Sequence, residues 1–297
     1  MILSRQAESK PTVSSARRGL GRRAWRRCRR VASLFGLGVL IAVVLYAGVS
    51  MIYEESLIFF PMRYPEGDWN PGWLSFEDAW FQSPDGLKLH GWFAECREPR
   101  AVVLFCHGNA GNVTHRAETL HALHDLAGAS VLIFDYRGYG RSEGRPDEPG
   151  ILADARAARA WLAQRAGVAE REIVLMGRSV GGAVAVDLAA SDGARALVLE
   201  STFTSMPDVA AHHYPWLPVR WLLRTRFDSS AKIANYRGPL LESHGDADTI
   251  IPYRLGRRLF DAANQPKQFI TIPSGDHNDP QDGEYYQALI AFLDGIE

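Results

Sequence analysis

The soluble part of this chain is punctuated by short runs of uninterrupted apolar residues: 101–106 (AVVLFC), 130–134 (SVLIF), 173–176 (IVLM), 196–199 (ALVL) and 269–272 (FITI). Runs without polar alternation are the pattern of strands buried on both faces. Between them lie segments of helical length, 114–127, 150–165, 181–191, 253–263 and 284–293. Strand followed by helix, repeated, predicts a mostly parallel sheet covered on both sides by helices. Residues 87–93 alternate instead, directly after the turn Pro84-Asp85-Gly86, which predicts an antiparallel hairpin at a sheet edge. The rhythm breaks at 202–236, where prolines, paired His212 and His213, and Trp216 and Trp221 predict a small helical lid.

Upstream, residues 31–52 run for 22 positions without a charge, a helix of roughly 33 Å that matches the hydrocarbon core of a bilayer. Eight arginines crowd its N-terminal side between Arg17 and Arg30, whereas Glu54 and Glu55 follow it. The positive-inside rule then puts a basic leader, 1–30, in the cytoplasm and the folded part on the opposite side. A cleaved signal peptide has the same order of features. Its apolar region usually runs about 7 to 15 residues, however, and the small-residue cleavage candidate at 47–50 lies inside the apolar run rather than after it. The repeated arginine pairs are a weak match to a twin-arginine export motif. The expected layout is therefore leader 1–30, transmembrane anchor 31–52, connecting segment 53–80 rich in Pro, Gly and aromatics, and one domain at 81–297 with its lid at about 202–236.

Composition narrows the class. At 46% hydrophobic and 23% charged, the 297 residues are those of an ordinary globular protein. The net charge of −1 conceals ten Lys and Arg against the single Glu8 in residues 1–30, a local +9 that leaves −10 for the remainder. Basic residues that abut an apolar stretch set membrane orientation, so nucleic acid is not an expected partner. Cys28, Cys96 and Cys106 form neither a disulfide framework nor a metal-binding pattern, and Cys96 and Cys106 are left open as a pair.

The chemistry is concentrated in Gly177-Arg178-Ser179-Val180-Gly181, a GxSxG between an apolar strand and the helical GGAVAVDLAA. A nucleophile elbow requires a strained strand-to-helix turn with glycines on either side, where Cβ atoms would meet neighbouring backbone. A serine hydroxyl is a weak nucleophile and requires a base oriented by a carboxylate, in the chain order serine, acid, histidine. His277, on a loop at a strand's C-terminal end, is the candidate base, ahead of His212, His213 and His244. The segment 244–252 offers two acids, of which Asp248 is preferred, while Asp246 suits the fixing of a turn through backbone amides. Oxyanion donors are expected at the N–H of Val180 and at Asn109 in the loop after Cys106, with His107 shaping that loop. His121 and His124, at i and i+3 on one helix face, lack a third ligand and are read as surface residues.

The segments CHGNAGN, DYRGYGRSEG, GRSVGG, HGDADTIIP and SGDHNDP, in that order, resemble the α/β-hydrolase superfamily, and more closely its membrane-anchored bud-emergence-type branch, over about residues 31–296. That resemblance implies an α/β-hydrolase fold, Ser179 as nucleophile, Asp248 as acid, His277 as base, and Asn109 with Val180 as oxyanion hole. Residues 135–144 match a structural loop of the family, and the long arginine leader departs from its pattern. The expected activity is two-step acyl transfer on a small-molecule or lipid-derived ester or thioester, with no cofactor or metal. A peptidase, or a silent binding protein on the same fold, stands as the alternative.

Overall fold

The structure, a computed structural model, describes the backbone of residues 15–296 and the side chains from residue 25 onward except 47 and 49–52. Of the basic leader expected at 1–30, residues 1–14 lie outside the described residues. The chain divides into two compact units, Met1–Ile52 and Tyr53–Glu297.

The first unit is helical. Helix α1 (Ser15–Ile58) begins in it and ends in the second unit. Within α1 the segment Trp25–Tyr46 is long and apolar enough to cross a membrane, and its side chains are exposed. A membrane anchor and a signal sequence share that length and composition.

The second unit is an α/β-hydrolase fold. In chain order it comprises β1 (Phe60–Pro61), β2 (Glu77–Gln82), β3 (Lys88–Ala94), β4 (Ala101–Cys106), β5 (Ala110–Gly111), α2 (Ala117–His121), β6 (Ala129–Asp135), α3 (Glu148–Ala166), β7 (Val174–Arg178), α4 (Val180–Asp192) and β8 (Leu197–Glu200). There follow α5 (Met206–His213), α6 (Val219–Leu222), α7 (Ser229–Lys232), β9 (Leu240–Gly245), α8 (Tyr253–Ala262), β10 (Lys267–Ile272) and α9 (Gly283–Gly295). Eight strands form one sheet in the order β10-β9-β8-β7-β4-β6-β3-β2, with every pairing parallel except β3 with β6 and β2 with β3. The antiparallel hairpin thus sits at the edge, and its first strand starts at Glu77, inside the segment read as a connection.

Burial explains the runs. Strands β4 and β6 are buried at every position, because one core packs each face of the sheet. Ile151, Ala155, Ala158 and Leu162 of α3, with α4 and α8, close one face; Leu120 of α2 and Tyr285, Leu289 and Leu293 of α9 close the other. Helix α3 starts where the Asp147 side chain accepts from Gly150 N and stops at Gly167, which adopts φ 68°.

Two expectations change. The segment 114–127 is not one α-helix but a 3₁₀ turn (Val113–Arg116), α2, and a π turn (Ala122–Leu126). Its ends are fixed from outside: the Asn112 side chain and Asp135 take the N–H groups of Thr114 and Val113, and Arg100 Nε donates to Ala127 O. The segment 56–80 contributes β1, which pairs in parallel with β5 in the loop after β4. The three cysteines are free, Cys106 buried and Cys96 half-buried.

Candidate active site

Strand β4 has β6 on one side and β7 on the other, so the chain order reverses between β4 and β7, and crevices in open α/β sheets form at such a point. Cys106 lies opposite Gly177, and Gly177 opposite Leu199, which brings the carboxyl ends of β4, β7 and β8 level. The segments singled out in the sequence leave the carboxyl ends of β4, β6, β7, β9 and β10.

Ser179 occupies the turn between β7 and α4 at φ 57° and ψ −122°, a region costly for any residue but glycine. The turn is held on both sides. Ser179 N donates to Glu200 O (2.9 Å), while Ser179 O accepts from Gly182 N (3.0 Å) and Thr202 Oγ1 (2.8 Å). Glycine is required at 181, where a Cβ would lie 1.9 Å from Cys106 O. That close approach seats the start of α4 directly against the loop after β4. A Cβ on Gly108 of the same loop would stand 3.5 Å from Ser179 Cβ.

Asp248 and His277 meet. His277 Nδ1 is 2.8 Å from Asp248 Oδ2, both residues being buried. Asp248 Oδ1 also accepts from Ile250 N (2.9 Å) and Ile251 N (2.7 Å), and His244 Nε2 lies 3.2 Å from Oδ2. Burial opposes the charge of Asp248, yet the hydrogen bonds from His244 and His277 outweigh it and hold the carboxyl well below the usual range. Against an ionised carboxylate Nδ1 of His277 donates, which leaves Nε2 as a proton acceptor.

The structure does not place a hydrogen bond between the Ser179 hydroxyl and the His277 ring. It does tie their loops together, because Arg178 Nη2 donates to His277 O (2.6 Å) and Asp279 O (3.0 Å). Nucleophile-to-base bonds are often long before substrate binds and shorten with it.

The loop after β4 carries Asn109. Its side-chain amide is already engaged, Nδ2 donating to Ile58 O (2.6 Å), and its carbonyl accepts from Phe60 N (3.0 Å) and Tyr139 Oη (2.7 Å). The N–H of Asn109 has no partner among the described residues. Val180 opens α4, where N–H groups lack intrahelical acceptors. His107 is buried, and burial drives its ring down to about 3, so it is neutral.

Contacts that composition and spacing did not reveal hold this arrangement. Asp276 Oδ1 accepts from Thr249 N (2.8 Å), Thr249 Oγ1 (2.8 Å) and His277 N (2.7 Å), clamping the two loops. His244 Nε2 bonds Ile251 O at 2.9 Å, so His244 supports the acid from within β9. The i, i+4 spacing of His244 and Asp248 is the one local signal by which that pair could have been found. Asp246 Oδ1 accepts from Ser274 N at 2.6 Å, the backbone role its place in the turn suggested. Among the described residues no group of three or more His, Cys, Asp or Glu has the spacing to hold a metal ion.

Comparison with known proteins identifies the family and the fold. The family model described as serine aminopeptidase, S33, matches residues 97–231. Alpha/beta hydrolase domain-containing protein WAV2 of Arabidopsis thaliana is 34% identical over 298 residues, an alignment covering 89% of this chain and 94% of that relative. Protein bem46 of Schizosaccharomyces pombe is 30% identical over 282 residues, covering 87% and 91%. Among solved structures, the Pyrococcus furiosus esterase Pf2001 superimposes with a TM-score of 0.64 at 20% identity over 80% of this chain and 99% of that one, a likeness of fold. With relatives in that group at 30–34% identity over most of both chains, the chain belongs to the bem46-type branch of the α/β-hydrolase superfamily.

Proposed function

We propose that this hydrolase cleaves ester or thioester bonds by two-step acyl transfer, with Ser179 as nucleophile, His277 as base and Asp248 as the residue that orients and charges against it. The observation that carries this reading is a serine held at φ 57° after β7 together with a buried His277–Asp248 pair at 2.8 Å, whose loop Arg178, the residue before the serine, holds through His277 O. His277 Nε2 takes the Ser179 proton as Oγ attacks the acyl carbon, and returns it to the departing alcohol or thiol. The tetrahedral oxyanion faces the N–H groups of Val180 and Asn109, each such donor being worth roughly 2.7–4 kcal/mol of barrier. Water, deprotonated by the same ring, then releases the acid and frees the serine.

In this proposal the apolar helix is an uncleaved anchor that keeps the domain beside a bilayer on the extracytoplasmic side, where lipid-derived esters are at hand. A second reading, hydrolysis of an amino-terminal peptide bond, is favoured by the description of the matching family model. Ser179→Ala separates hydrolase from silent binder: it is expected to abolish labelling by a fluorophosphonate and all ester hydrolysis while the circular dichroism spectrum is unchanged. Retained labelling refutes the assignment. Paired assays on p-nitrophenyl esters of graded chain length and on aminoacyl anilides decide between ester and peptide.

A further inference from the structure

Between His213 and Phe227 the excursion from β8 to β9 carries a cluster of exposed aromatic and basic residues. Tyr214, Trp216 and Trp221 are 51%, 74% and 90% exposed. They are interleaved with Arg220, Arg224 and Arg226, of which Arg220 pairs with Asp208 and Arg224 lies 3.7 Å from Glu54, and the stretch itself contains no acidic residue. Water-exposed indoles raise the free energy of a soluble surface, whereas aromatic rings mixed with cations suit the headgroup layer of a membrane. The tip is also held in place: Val219, Thr225 and Phe227 are buried beneath it.

The chain itself limits where this tip can be. The Glu54 carboxylate, 3% exposed, accepts from Arg224 N (3.0 Å) and Thr225 N (2.7 Å), and Phe59 packs edge-on against Phe227 at 6.3 Å. Glu54 comes two residues after Ile52, the last residue of the apolar stretch, and two residues reach at most about 7 Å. On the last turns of α1, Tyr53 and Leu57 are exposed on the face away from buried Glu54 and Ile58.

We propose that this tip docks on the lipid surface, with the rings of Tyr214, Trp216 and Trp221 in the headgroup layer and the exposed Arg226 against anionic lipid. The proposal rests on the reading of the apolar helix as an anchor. Docking also reaches the chemistry, because His213 Nε2 bonds Ile250 O (2.8 Å) and Ile250 N bonds Asp248 Oδ1 (2.9 Å). The lid therefore links the bilayer surface to the acid loop, and the substrate class it suits is an acyl ester entering from the membrane.

The test uses the full chain reconstituted in vesicles of brominated phosphatidylcholine with phosphatidylglycerol, read by tryptophan fluorescence. Trp25, Trp216 and Trp221 are the rings expected within quenching reach, so Trp216→Ser with Trp221→Ser lowers the quenched amplitude to about one third. Trp73→Ser, which removes a ring 55% exposed elsewhere on the domain, leaves that amplitude unchanged. Omitting phosphatidylglycerol reduces the component lost in the double variant. An unchanged amplitude in a double variant that stays with the vesicles overturns docking and spares the anchor; a chain that leaves the vesicles overturns both. The hydrolase reading stands apart from either result, since fluorophosphonate labelling of Ser179 needs no membrane and is retained in the double variant.

Discussion

Replacing Gly181 by alanine tests the elbow through a single added carbon. The new Cβ would stand 1.9 Å from Cys106 O and 2.5 Å from His107 O, both backbone atoms that no rotamer change can move. Against an ordinary contact of 3.4 Å the first shortfall is about 1.5 Å, and forced overpacking of this kind typically costs about 1–3 kcal/mol of stability. The larger effect is expected on rate. The approach of α4 to the loop after β4 sets the distance between the N–H groups of Val180 and Asn109, and a misplacement of about 1 Å in a reacting site costs on the order of 100-fold. Initial rates on p-nitrophenyl butyrate and a urea midpoint measure the two effects separately. Gly283→Ala, where a Cβ meets nothing within 4 Å, serves as the control and leaves both near wild type. If Gly181→Ala keeps activity within about twofold of wild type, the close-packed elbow is not what aligns the donors, and the argument from helix approach fails.

The remaining predictions concern the acid and its supports. Asp248→Asn leaves Oδ1 to the amides of Ile250 and Ile251 but gives His277 Nδ1 a donor where it needs an acceptor, and the resulting tautomer is expected to lower kcat by about 10⁴-fold at neutral pH. The Asp248 carboxyl is held below its unfolded value, so the stability it confers is complete above about pH 4 and is lost as pH falls through the lower folded value. The urea-midpoint gap between wild type and Asp248→Asn should then be constant from pH 7 to pH 5 and narrow below about pH 4; a gap that widens in acid contradicts the assignment. Arg178→Ala removes two hydrogen bonds from a charged donor to the loop bearing His277, worth about 1.5–3 kcal/mol each, and is expected to lower kcat/KM by roughly 10- to 100-fold, with partial recovery in Arg178→Lys.

What the sequence discloses and what it conceals divide along a physical line. Ser179, Asp248 and His277 were legible because each follows a strand: Ser179 and Asp248 come after the buried β7 and β9, and His277 after β10, half-exposed yet still marked by the apolar run 269–272. Strand β2 was hidden because an edge strand shows one face to water: Glu77, Asp78, Trp80 and Gln82 are exposed, and only Ala79 is fully buried. Strands β1 and β5, two residues each, carry no period at all and exist only through each other. The broken helix at 113–126 keeps helical periodicity while Asp135 and Arg100, remote in sequence, alter its ends. The clamps at Asp276 and Arg178 act across loops from different strands, and no local pattern encodes a partner 27 or 99 residues away.

The pairing of β1 with β5 makes the segment just past the apolar helix a fastening for the loop that carries Asn109. Ile58 O takes the Asn109 amide, Phe60 N binds Asn109 O, and Met62 N binds Gly111 O at 3.1 Å. Anyone trimming the chain to obtain a freely soluble enzyme therefore has a narrow choice of cut. Beginning before Glu54 retains the fastening together with the bonds to Thr225; beginning at Arg63 discards all of them and leaves the donor loop to wander, however intact the serine, histidine and aspartate remain.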